Sequence, residues 1–421
     1  MAKDIKIIQV AYSFSRGGAG AAAKNVCQNL EKRYDVKAVS ALGFDKNEKI
    51  SMQFKYCIWL ISRVFEHLFT GLLFYNFNVK QSLNLFSSPR IGELLRDAET
   101  KSVYHFHWIN NDSISASDLK NIPPFSLITL HDEWLIAGTS HYDKSSNFDP
   151  SPSRKMTWYQ SKIDGWLRRK KVTAIDKMVS PRIVCPSSWL RDRVIASGLF
   201  KPDQIHIVPN IIDTSVFYPC VDENEVRFLK KKYGVESSEK IFCFGANNSA
   251  NNPIKGGDLL APVINDLAAK LSSSVEVTII LFGGISSPVS VPKNISIVNV
   301  GVVRDQSVLR DIYALSDLLL FLSKAEAFGL VAAEAMSCGT PVLGLAGTSI
   351  SDFVIPNFTG ILVDDLRAAS ITEEIISFVE WSDNQNIEIR SNCRRYVEAT
   401  FSKSAVNPVY DALVKNICLR K

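Results

Sequence analysis

A chain of 421 residues with 46% hydrophobic residues is long enough to form two domains, each with its own core. The formal net charge of +5 is small for this length, which argues against a protein that binds polyanions over its whole surface. The eight cysteines stand singly, without a CxxC pair or a His/Cys cluster. We therefore expect reduced thiols, with neither a structural zinc site nor a disulfide framework.

Charged side chains near the first residue (Lys3, Asp4 and Lys6) interrupt the apolar stretch that an export signal would need. No segment reaches the roughly 18 uninterrupted apolar residues that a membrane-spanning helix requires. We therefore expect a cytoplasmic protein.

The first predicted strand, 5–10, is followed by a glycine-rich loop, 13–20, and a helix, 21–30. A strand, a glycine loop and a helix in this order can form a dinucleotide site. The spacing differs from G-x-G-x-x-G, however, because Ala23 stands where the third glycine would be. This argues against a nicotinamide cofactor.

The most apolar segment is 56–77, in which Arg63, Glu66 and His67 are the interruptions. Its hydrophobic residues recur at helical spacing, which predicts a helix with one broad apolar face. Such a face can pack into the core or lie on a membrane surface. We expect core packing, because the polar face is not strongly basic. The apolar face consists of Ile61, Val64, Phe65, Leu68, Phe69, Leu72 and Leu73.

Three more buried strands are predicted at 102–108, 125–130 and 182–185. The carboxyl ends of parallel strands meet at one edge of a sheet, where ligands bind. The polar and aromatic residues at these ends are His105, His107, His131, Asp132 and Trp134. His131 either faces a ligand or is bonded to backbone at the strand end. His105 and His107 share one face of their strand, and we assign neither to the site.

A basic and aromatic stretch, 154–182, follows an irregular loop at 145–152. It is a solvated helix face, a nucleic-acid patch or a surface for anionic lipid headgroups. No recognised nucleic-acid module accompanies the charge, so we expect no nucleic-acid partner. We hypothesise contact with the inner face of the plasma membrane. The basic residues are Arg154, Lys155, Lys162, Arg168, Arg169, Lys170, Lys171 and Lys177.

The second half restarts at 240–246 with a buried strand that ends in glycine. Pro209 and Pro219 stiffen the connection before it, as expected of a hinge between two domains. After a polar loop, Lys255 precedes a glycine pair and a helix. Lys255 is either an exposed residue at a helix start or a cation for a phosphate group.

Within the segment 317–345, the apolar runs and the Gly and Pro positions predict a strand at 317–322, a helix at 331–337 and a second strand at 342–345. Glu326 falls in the turn at the carboxyl end of the first strand, and Glu334 lies about two turns later, in the helix. Gly329 allows backbone N–H groups at the helix start to approach a diphosphate closely. A carboxylate in the helix can accept hydrogen bonds from a ribose diol.

These residues resemble the E-x7-E region of retaining glycosyltransferases of family 4, which have the GT-B fold. Phe328, Gly329, Gly339, Thr340 and Pro341 agree with that region as well as the two glutamates. The resemblance runs along the whole chain, and it is strongest over 255–363 and weakest over 44–102. The structural alternative is a buried strand–helix–strand unit whose glutamates only cap and solvate the helix.

The resemblance implies an α/β protein of GT-B architecture, with two Rossmann-like domains facing an interdomain cleft. The N-terminal, acceptor-side domain would be 1–213, and the nucleotide-sugar domain 214–395. The remaining helix, 396–421, would cross back to the first domain.

The resemblance also implies roles for individual residues in the second domain. Glu326 would contact the donor sugar without acting as a covalent nucleophile, Glu334 would contact the ribose, and Lys255 the diphosphate. Phe328, Gly329 and Leu330 would supply backbone N–H groups. Many relatives have an arginine at the position of Ala246, so a second cation would come from elsewhere, with Arg16 and Arg304 as unranked candidates.

In the first domain, His131 would lie close to the donor sugar and its anomeric carbon, and Asp132 and Trp134 would shape the pocket. The loop with Arg16, Gly17 and Gly18 would reach over the diphosphate and the acceptor. Glu326, His131 and Lys255 are the catalytic candidates.

The implied function is transfer of a hexosyl unit from a nucleoside-diphosphate sugar to a saccharide acceptor, with retention of configuration. The subset of the family with a similar His131 segment points to a lipid-linked acceptor in surface polysaccharide assembly, such as capsule or O antigen. No Asp-x-Asp motif stands at a strand end, and the fold works without one, so we expect no metal and no other cofactor. Alternatives are a nucleotide-sugar epimerase of the same architecture and a non-catalytic nucleotide-sugar-binding protein; a sugar phosphorylase would need a much longer chain.

Overall fold

The computed structural model describes residues 5–43, 49–75, 77, 79–142, 156–245, 253–272, 275–284 and 294–420. The chain divides into two compact units. The first lies within 1–211 and 406–421, and the second within 212–405. Arg154, Lys155 and Ala246, together with the predicted loop at 145–152, lie outside the described residues.

The first unit contains a parallel sheet whose strands lie side by side in the order β2-β1-β3-β4-β5-β6. Its strands are β1 (Lys6–Ala11), β2 (Asp35–Ser40), β3 (Val103–His107), β4 (Leu127–Thr129), β5 (Arg182–Cys185) and β6 (Ile205–Ile207). The second unit contains another parallel sheet, in the order β12-β11-β10-β7-β8-β9. Its strands are β7 (Lys240–Gly245), β8 (Val277–Phe282), β9 (Ile295–Gly301), β10 (Leu318–Phe321), β11 (Val342–Leu345) and β12 (Gly360–Val363).

Helices connect these strands in both units. Those of the first unit are α1 (Gly17–Leu30), α2 (Ile50–Leu73), α3 (Pro89–Arg96), α4 (Trp158–Ile175) and α5 (Ser188–Ser197). Those of the second are α6 (Glu223–Tyr233), α7 (Gly257–Lys270), α8 (Gln306–Leu315), α9 (Leu330–Ser337), α10 (Ala368–Val379) and α11 (Asp383–Thr400). The chain continues with α12 (Lys403–Arg420), whose residues from 406 onward belong to the first unit.

The predicted α/β class with two parallel-sheet domains is confirmed. The strands predicted from apolar runs are present, because residues buried on both faces of a parallel sheet leave an uninterrupted hydrophobic sequence. In β10, Leu319 and Phe321 pack on one side of the sheet, whereas Leu318 and Leu320 pack on the other. The edge strand β2 was not predicted, since most of its residues are exposed or half-buried and its sequence is mixed.

The glycine-rich segment predicted as a loop over 13–20 is partly helical, because α1 begins at Gly17 rather than at Ala21. Gly20 packs tightly in the first turn, where a Cβ atom would stand 2.8 Å from the Ser13 carbonyl oxygen. The absence of a side chain at Gly20 therefore lets the helix start close to the end of β1.

The prediction that the apolar face of 56–77 packs into the core is wrong. In α2, Phe65 is 70% exposed and Leu72 is 77% exposed, and the other large hydrophobic residues of that face are exposed as well, apart from the half-buried Leu73. The side that packs inward carries Tyr56, Trp59 and Glu66. Among the described residues, no helix is both long and apolar enough to cross a membrane.

The last helix completes the core of the first unit. Tyr410, Val414 and Ile417 of α12 pack with residues of β1, β3 and β4 in one hydrophobic cluster. The Tyr34 hydroxyl donates a hydrogen bond to Asp411 at 2.6 Å. The start of the chain and its last helix therefore stabilise the same unit.

We expect Val414→Ala to lower the free energy of unfolding of the first unit by roughly 2 kcal/mol, because the fully buried side chain would leave a cavity. Leu419→Ala is the matched control, since Leu419 is 88% exposed on the same helix. Urea unfolding followed by tryptophan fluorescence measures the difference. Equal midpoints for the two variants would contradict the packing of α12 described above.

Candidate active site

The predicted site residues of the second unit meet at a switch in strand order. From β7 the chain passes to β8 and β9 on one side of the sheet, and then to β10 on the other side. In open parallel sheets, ligands bind outside the carboxyl ends of the strands at such a point. Lys255 follows β7, Glu326 follows β10, and the two side chains form an ion pair there. Both are only partly buried.

Backbone contacts fix the positions of these two side chains. The Lys324 N–H donates to the Ile254 carbonyl oxygen at 2.6 Å, which joins the turn of Lys255 to the turn of Glu326. Gly256 has a φ of 72°, and a Cβ atom there would overlap the Leu322 carbonyl oxygen. Glycine at this position therefore lets the two turns touch.

Helix α9 begins directly after the Glu326 turn. Gly329 is its N-cap with a φ of 94°, and the first N–H groups of a helix have no partner within the helix. Phe328 is buried, with its ring centroid 5.6 Å from that of Phe353 and 5.1 Å from that of Phe401. The predicted anion-binding residues 328–330 are thus held by an aromatic cluster, with the helix N-terminus beside Glu326.

Glu334 lies in α9, where burial raises the pKa of its carboxyl group to about 8, and the nearby Tyr313 hydroxyl acts in the opposite direction. Glu334 is partly accessible at the surface, and a carboxyl group largely removed from water is a strong partner for hydroxyl groups, which bond to it without adding charge. This environment suits the role that the resemblance implies, contact with a ribose diol.

The two candidates for a second cation belong to different units. Arg304 is exposed in the loop after β9, which is separated from β7 by β8. Arg16 is exposed at the N-cap of α1 in the first unit. Lys324 was not predicted as a site residue. Its backbone contacts the turn of Lys255, and its ammonium group pairs with Asp258 at 2.6 Å. Its position two residues before Glu326 was the available signal.

The first unit holds the remaining candidates, beginning with the glycine segment. Its sheet also has a switch in strand order, because β1 lies between β2 and β3. Gly17 and Gly18 follow β1 and form the exposed first turn of α1, with Gly17 at a φ of 68°. Arg16, Gly17 and Gly18 therefore stand where a ligand of this unit would be expected.

His131 follows β4, is half-buried and lies beside two buried histidines, His105 and His107. Its Nε2 atom has no hydrogen-bond partner within the part of the chain that the structure describes. Burial lowers the pKa of His131 to about 4, so its ring is neutral at physiological pH. The rings of His107 and His131 are 5.8 Å apart, and those of His105 and His107 are 4.0 Å apart.

Gln9 links the other two histidines and sets their tautomers. His107 Nε2 donates to the Gln9 Oε1 atom at 2.8 Å, and the Gln9 amide nitrogen donates to His105 Nδ1 at 3.2 Å. His105 must then carry its proton on Nε2, which lies 2.7 Å from the Thr129 hydroxyl. Burial lowers the pKa of His105 to about 3 and that of His107 well below its ordinary value. The cluster is a neutral chain of hydrogen bonds beneath His131.

Asp132 is the centre of a structural network. It accepts hydrogen bonds from Trp108 Nε1 at 2.8 Å, from the Trp134 backbone at 3.0 Å and from His141 Nδ1 at 2.7 Å. Although burial acts to raise it, the interactions with His141 and the tryptophans hold the pKa of Asp132 well below its usual range. The carboxylate therefore fixes the loop around His131. His141 was not predicted as part of this network, because a single polar residue in a loop is a weak signal in the sequence.

Trp134 is fully buried and supports the loop from the core. Its indole N–H donates to the Ser82 carbonyl at 2.9 Å, and the Lys171 ammonium group lies 4.0 Å from its ring centroid. Lys171 also donates to the carbonyl oxygens of Trp134 and Gly138. Burial lowers the pKa of Lys171 to about 7. The assignment of Lys171 to an exposed basic face is thus wrong, because α4 turns this lysine inward.

Comparison with known proteins agrees with this geometry. Residues 16–216 match the model of Glycosyltransferase Family 4, and residues 294–399 match that of Glycosyl transferases group 1. The chain belongs to glycosyltransferase family 4. Among curated relatives, N-acetyl-alpha-D-glucosaminyl L-malate synthase of Bacillus anthracis is 25% identical over 52% of this chain and 56% of its own length. D-inositol 3-phosphate glycosyltransferase of Xylanimonas cellulosilytica is 30% identical over 38% of this chain and 40% of its own.

The matched region spans about half the length of these curated relatives. Solved structures align over nearly the whole chain. Anabaena HepE in complex with UDP-glucose has a TM-score of 0.64 at 15% identity, covering 98% of this chain and 100% of its own. Sucrose-phosphate synthase of Thermosynechococcus elongatus has a TM-score of 0.66 at 15% identity, covering 99% and 100%. The GT-B fold implied by the resemblance is confirmed.

Because these histidines are neutral, we expect the first unit to be less stable against unfolding in acid. Below pH 6.5 the unfolded chain binds protons that His105, His107 and His131 do not bind in the folded chain, so the free energy of unfolding should fall as the pH drops from 6.5 toward 4. At pH 5 the loss would be about 2 kcal/mol for each histidine. Urea unfolding at pH 7.5 and pH 5 measures it by fluorescence, because every tryptophan except Trp381 lies in this unit.

The His105→Gln variant should show a smaller loss between the two pH values, whatever its stability at pH 7.5. The exposed His67→Gln serves as control and should behave like the parent chain. An equal change in the unfolding midpoint between pH 7.5 and pH 5 for His105→Gln and the parent chain would contradict a neutral buried cluster.

Proposed function

We propose that this protein transfers a hexosyl unit from a nucleoside-diphosphate sugar to a saccharide hydroxyl, with retention of anomeric configuration. The observation that carries the proposal is the pairing of Lys255 with Glu326 at the strand-order switch, beside the N-terminus of α9. A cation, a carboxylate and a helix N-terminus together match the diphosphate and the sugar hydroxyls of such a donor. Family membership supports the same class of reaction.

The donor would replace the ion pair with two separate interactions. Lys255 would move from Glu326 to the diphosphate, and Glu326 would accept hydrogen bonds from the sugar. Glu334 would bind the ribose diol from the next turn of α9. Nucleotide-sugar binding is also supported by HepE, a protein of the same fold whose structure was solved with UDP-glucose.

In the reaction, the bond between the anomeric carbon and the diphosphate oxygen breaks, and the acceptor oxygen bonds to that carbon on the same face. The acceptor proton passes to the departing diphosphate. Lys255 and the N–H groups of α9 would stabilise the charge that develops on the leaving group, where preorganised donors have their largest effect. His131 would contribute hydrogen bonds from a neutral ring, in keeping with its lowered pKa.

For the acceptor, the similarity of the His131 segment to enzymes of surface polysaccharide assembly favours a lipid-linked saccharide. The names of the curated relatives favour a second candidate, a small anionic alcohol, because they include L-malate and D-inositol 3-phosphate. Both acceptors use the same donor chemistry. They differ in what must bind on the acceptor side.

We expect the purified protein to release nucleoside diphosphate from one donor in a panel of UDP and GDP sugars, offered alone and with each acceptor class. Lys255→Met and Glu326→Gln should each lower the turnover number by about 10²–10³-fold, because both act on the developing charge or the donor sugar. The exposed Lys231→Met and Glu236→Gln of the same unit are matched controls. Turnover is read as released nucleotide and as glycosylated product.

Other outcomes identify the alternatives. Donor binding by calorimetry without released nucleotide would indicate a binding protein, and conversion of the donor sugar without an acceptor would indicate an epimerase. If the protein neither bound nor turned over any donor in the panel, the assignment of this site would be refuted.

We infer that catalysis needs no divalent metal, because Lys255 and the start of α9 supply the positive charge for the leaving group. Turnover should stay within about twofold of its original value after treatment with EDTA. A loss of activity that only a divalent ion restores would refute this inference. Monovalent salt at matched ionic strength controls for screening of Lys255.

A further inference from the structure

Helix α2 turns its most hydrophobic side to the surface. At 3.6 residues per turn, its exposed large apolar residues fall within a sector of about 140° that runs the length of the helix. They are Ile50, Phe54, Ile58, Ile61, Val64, Phe65, Leu68, Phe69 and Leu72. A contiguous apolar surface of this size marks an interaction site.

The opposite side of α2 fixes this orientation. Trp59 Nε1 donates to the Asp112 carbonyl at 2.9 Å, and the Tyr56 hydroxyl accepts a hydrogen bond from the Gly43 N–H at 3.0 Å. Buried Glu66 accepts hydrogen bonds from the backbone N–H groups of Leu83 and Asn84 at 2.9 and 2.7 Å. Rotating α2 to bury its apolar side would break these bonds and leave a carboxylate unpaired. The exposed face is therefore built into the first unit.

The exposed charge on α2 itself is positive. Glu66 is the only acidic residue of α2 and it is buried, whereas Lys55 of the same helix is exposed. The C-terminal end of α2 touches the start of α4, because the Gln160 side chain donates to the Leu73 carbonyl at 2.6 Å. The helix beside the apolar face of α2 is thus the basic helix α4.

Helix α4 presents a matching surface. Its exposed side carries, at successive helical turns, Trp158, Lys162, Trp166 and Arg169. The Lys170 ammonium group lies 4.8 Å from the centroid of the Trp166 ring, so a lysine and an indole lie together at this surface. Alternating indole and cationic side chains are typical of the boundary between acyl chains and anionic headgroups.

We propose that α2 is a membrane-docking helix that lies flat on an anionic lipid bilayer. Its apolar face enters the boundary between headgroups and acyl chains, while Trp158, Lys162 and Arg169 of α4 contact the headgroups. The 24 residues of α2 correspond to a contact about 36 Å long. Charge complementarity favours a bilayer over a second copy of this chain, because two copies would bring like-charged α4 surfaces together. The proposal does not depend on the donor chemistry described above.

Vesicle flotation tests the docking directly, without any donor or acceptor. Vesicles of phosphatidylcholine with phosphatidylglycerol should bind the full chain, and binding to phosphatidylcholine alone should be at least tenfold weaker. The triple variant Phe65→Gln, Leu68→Gln, Leu72→Gln should bind the anionic vesicles at least tenfold less, and Lys162→Gln, Arg169→Gln should remove the preference for anionic lipid. These side chains are exposed, so circular dichroism and thermal unfolding should be unchanged.

The matched control carries the same number of apolar-to-glutamine changes on exposed residues elsewhere, Phe228→Gln, Ile387→Gln and Leu419→Gln, and should bind as the parent chain does. Equal vesicle binding by both triple variants would overturn the proposal. So would a dimer in solution that the α2 variant dissociates, with no vesicle binding by the parent chain, because the face would then be covered by a second copy.

Discussion

The ion pair between Lys255 and Glu326 depends on the place of β7 in its sheet. Because β7 lies between β8 and β10, residues separated by more than seventy positions follow neighbouring strands. Gly256 then allows the two turns to touch, and the aromatic cluster around Phe328 sets the start of α9 beside them. The charges of this site are therefore positioned by backbone packing, and little conformational entropy remains to be lost when a ligand binds.

In the first unit, polar side chains lie at the carboxyl end of a buried sheet and need hydrogen-bond partners there. Gln9 satisfies two histidines at once, and Asp132 gathers hydrogen bonds from the residues on either side of His131. Helix α4 holds the same loop through Lys171 and through Asp164, which accepts a hydrogen bond from the Thr139 N–H at 2.7 Å. These hydrogen bonds hold the segment around His131 in place, while His131 Nε2 itself has no partner among the described residues.

The two sides of helix α4 therefore have different surroundings. Its inner side, with Lys171, supports the loop of His131, and its outer side, with Trp166 and Arg169, faces solvent beside the end of α2. A surface that docks on a bilayer through α2 and α4 would hold this loop at a fixed distance from the lipid. Such an arrangement suits an acceptor carried by a lipid.

The sequence by itself determined strands that are buried on both faces, the two-domain α/β class and the Glu326–Glu334 segment, because buried parallel strands and glycine-marked turns leave local patterns. The exposed edge strand β2 left no such pattern. Tertiary structure alone decided three further matters. It paired Lys255 with Glu326, since strand order is not encoded in any short segment. It buried Lys171 within the stretch 154–182, whose composition predicts a surface. It also exposed the apolar side of α2, because periodicity shows that a helix has two faces but not which one the rest of the fold will cover.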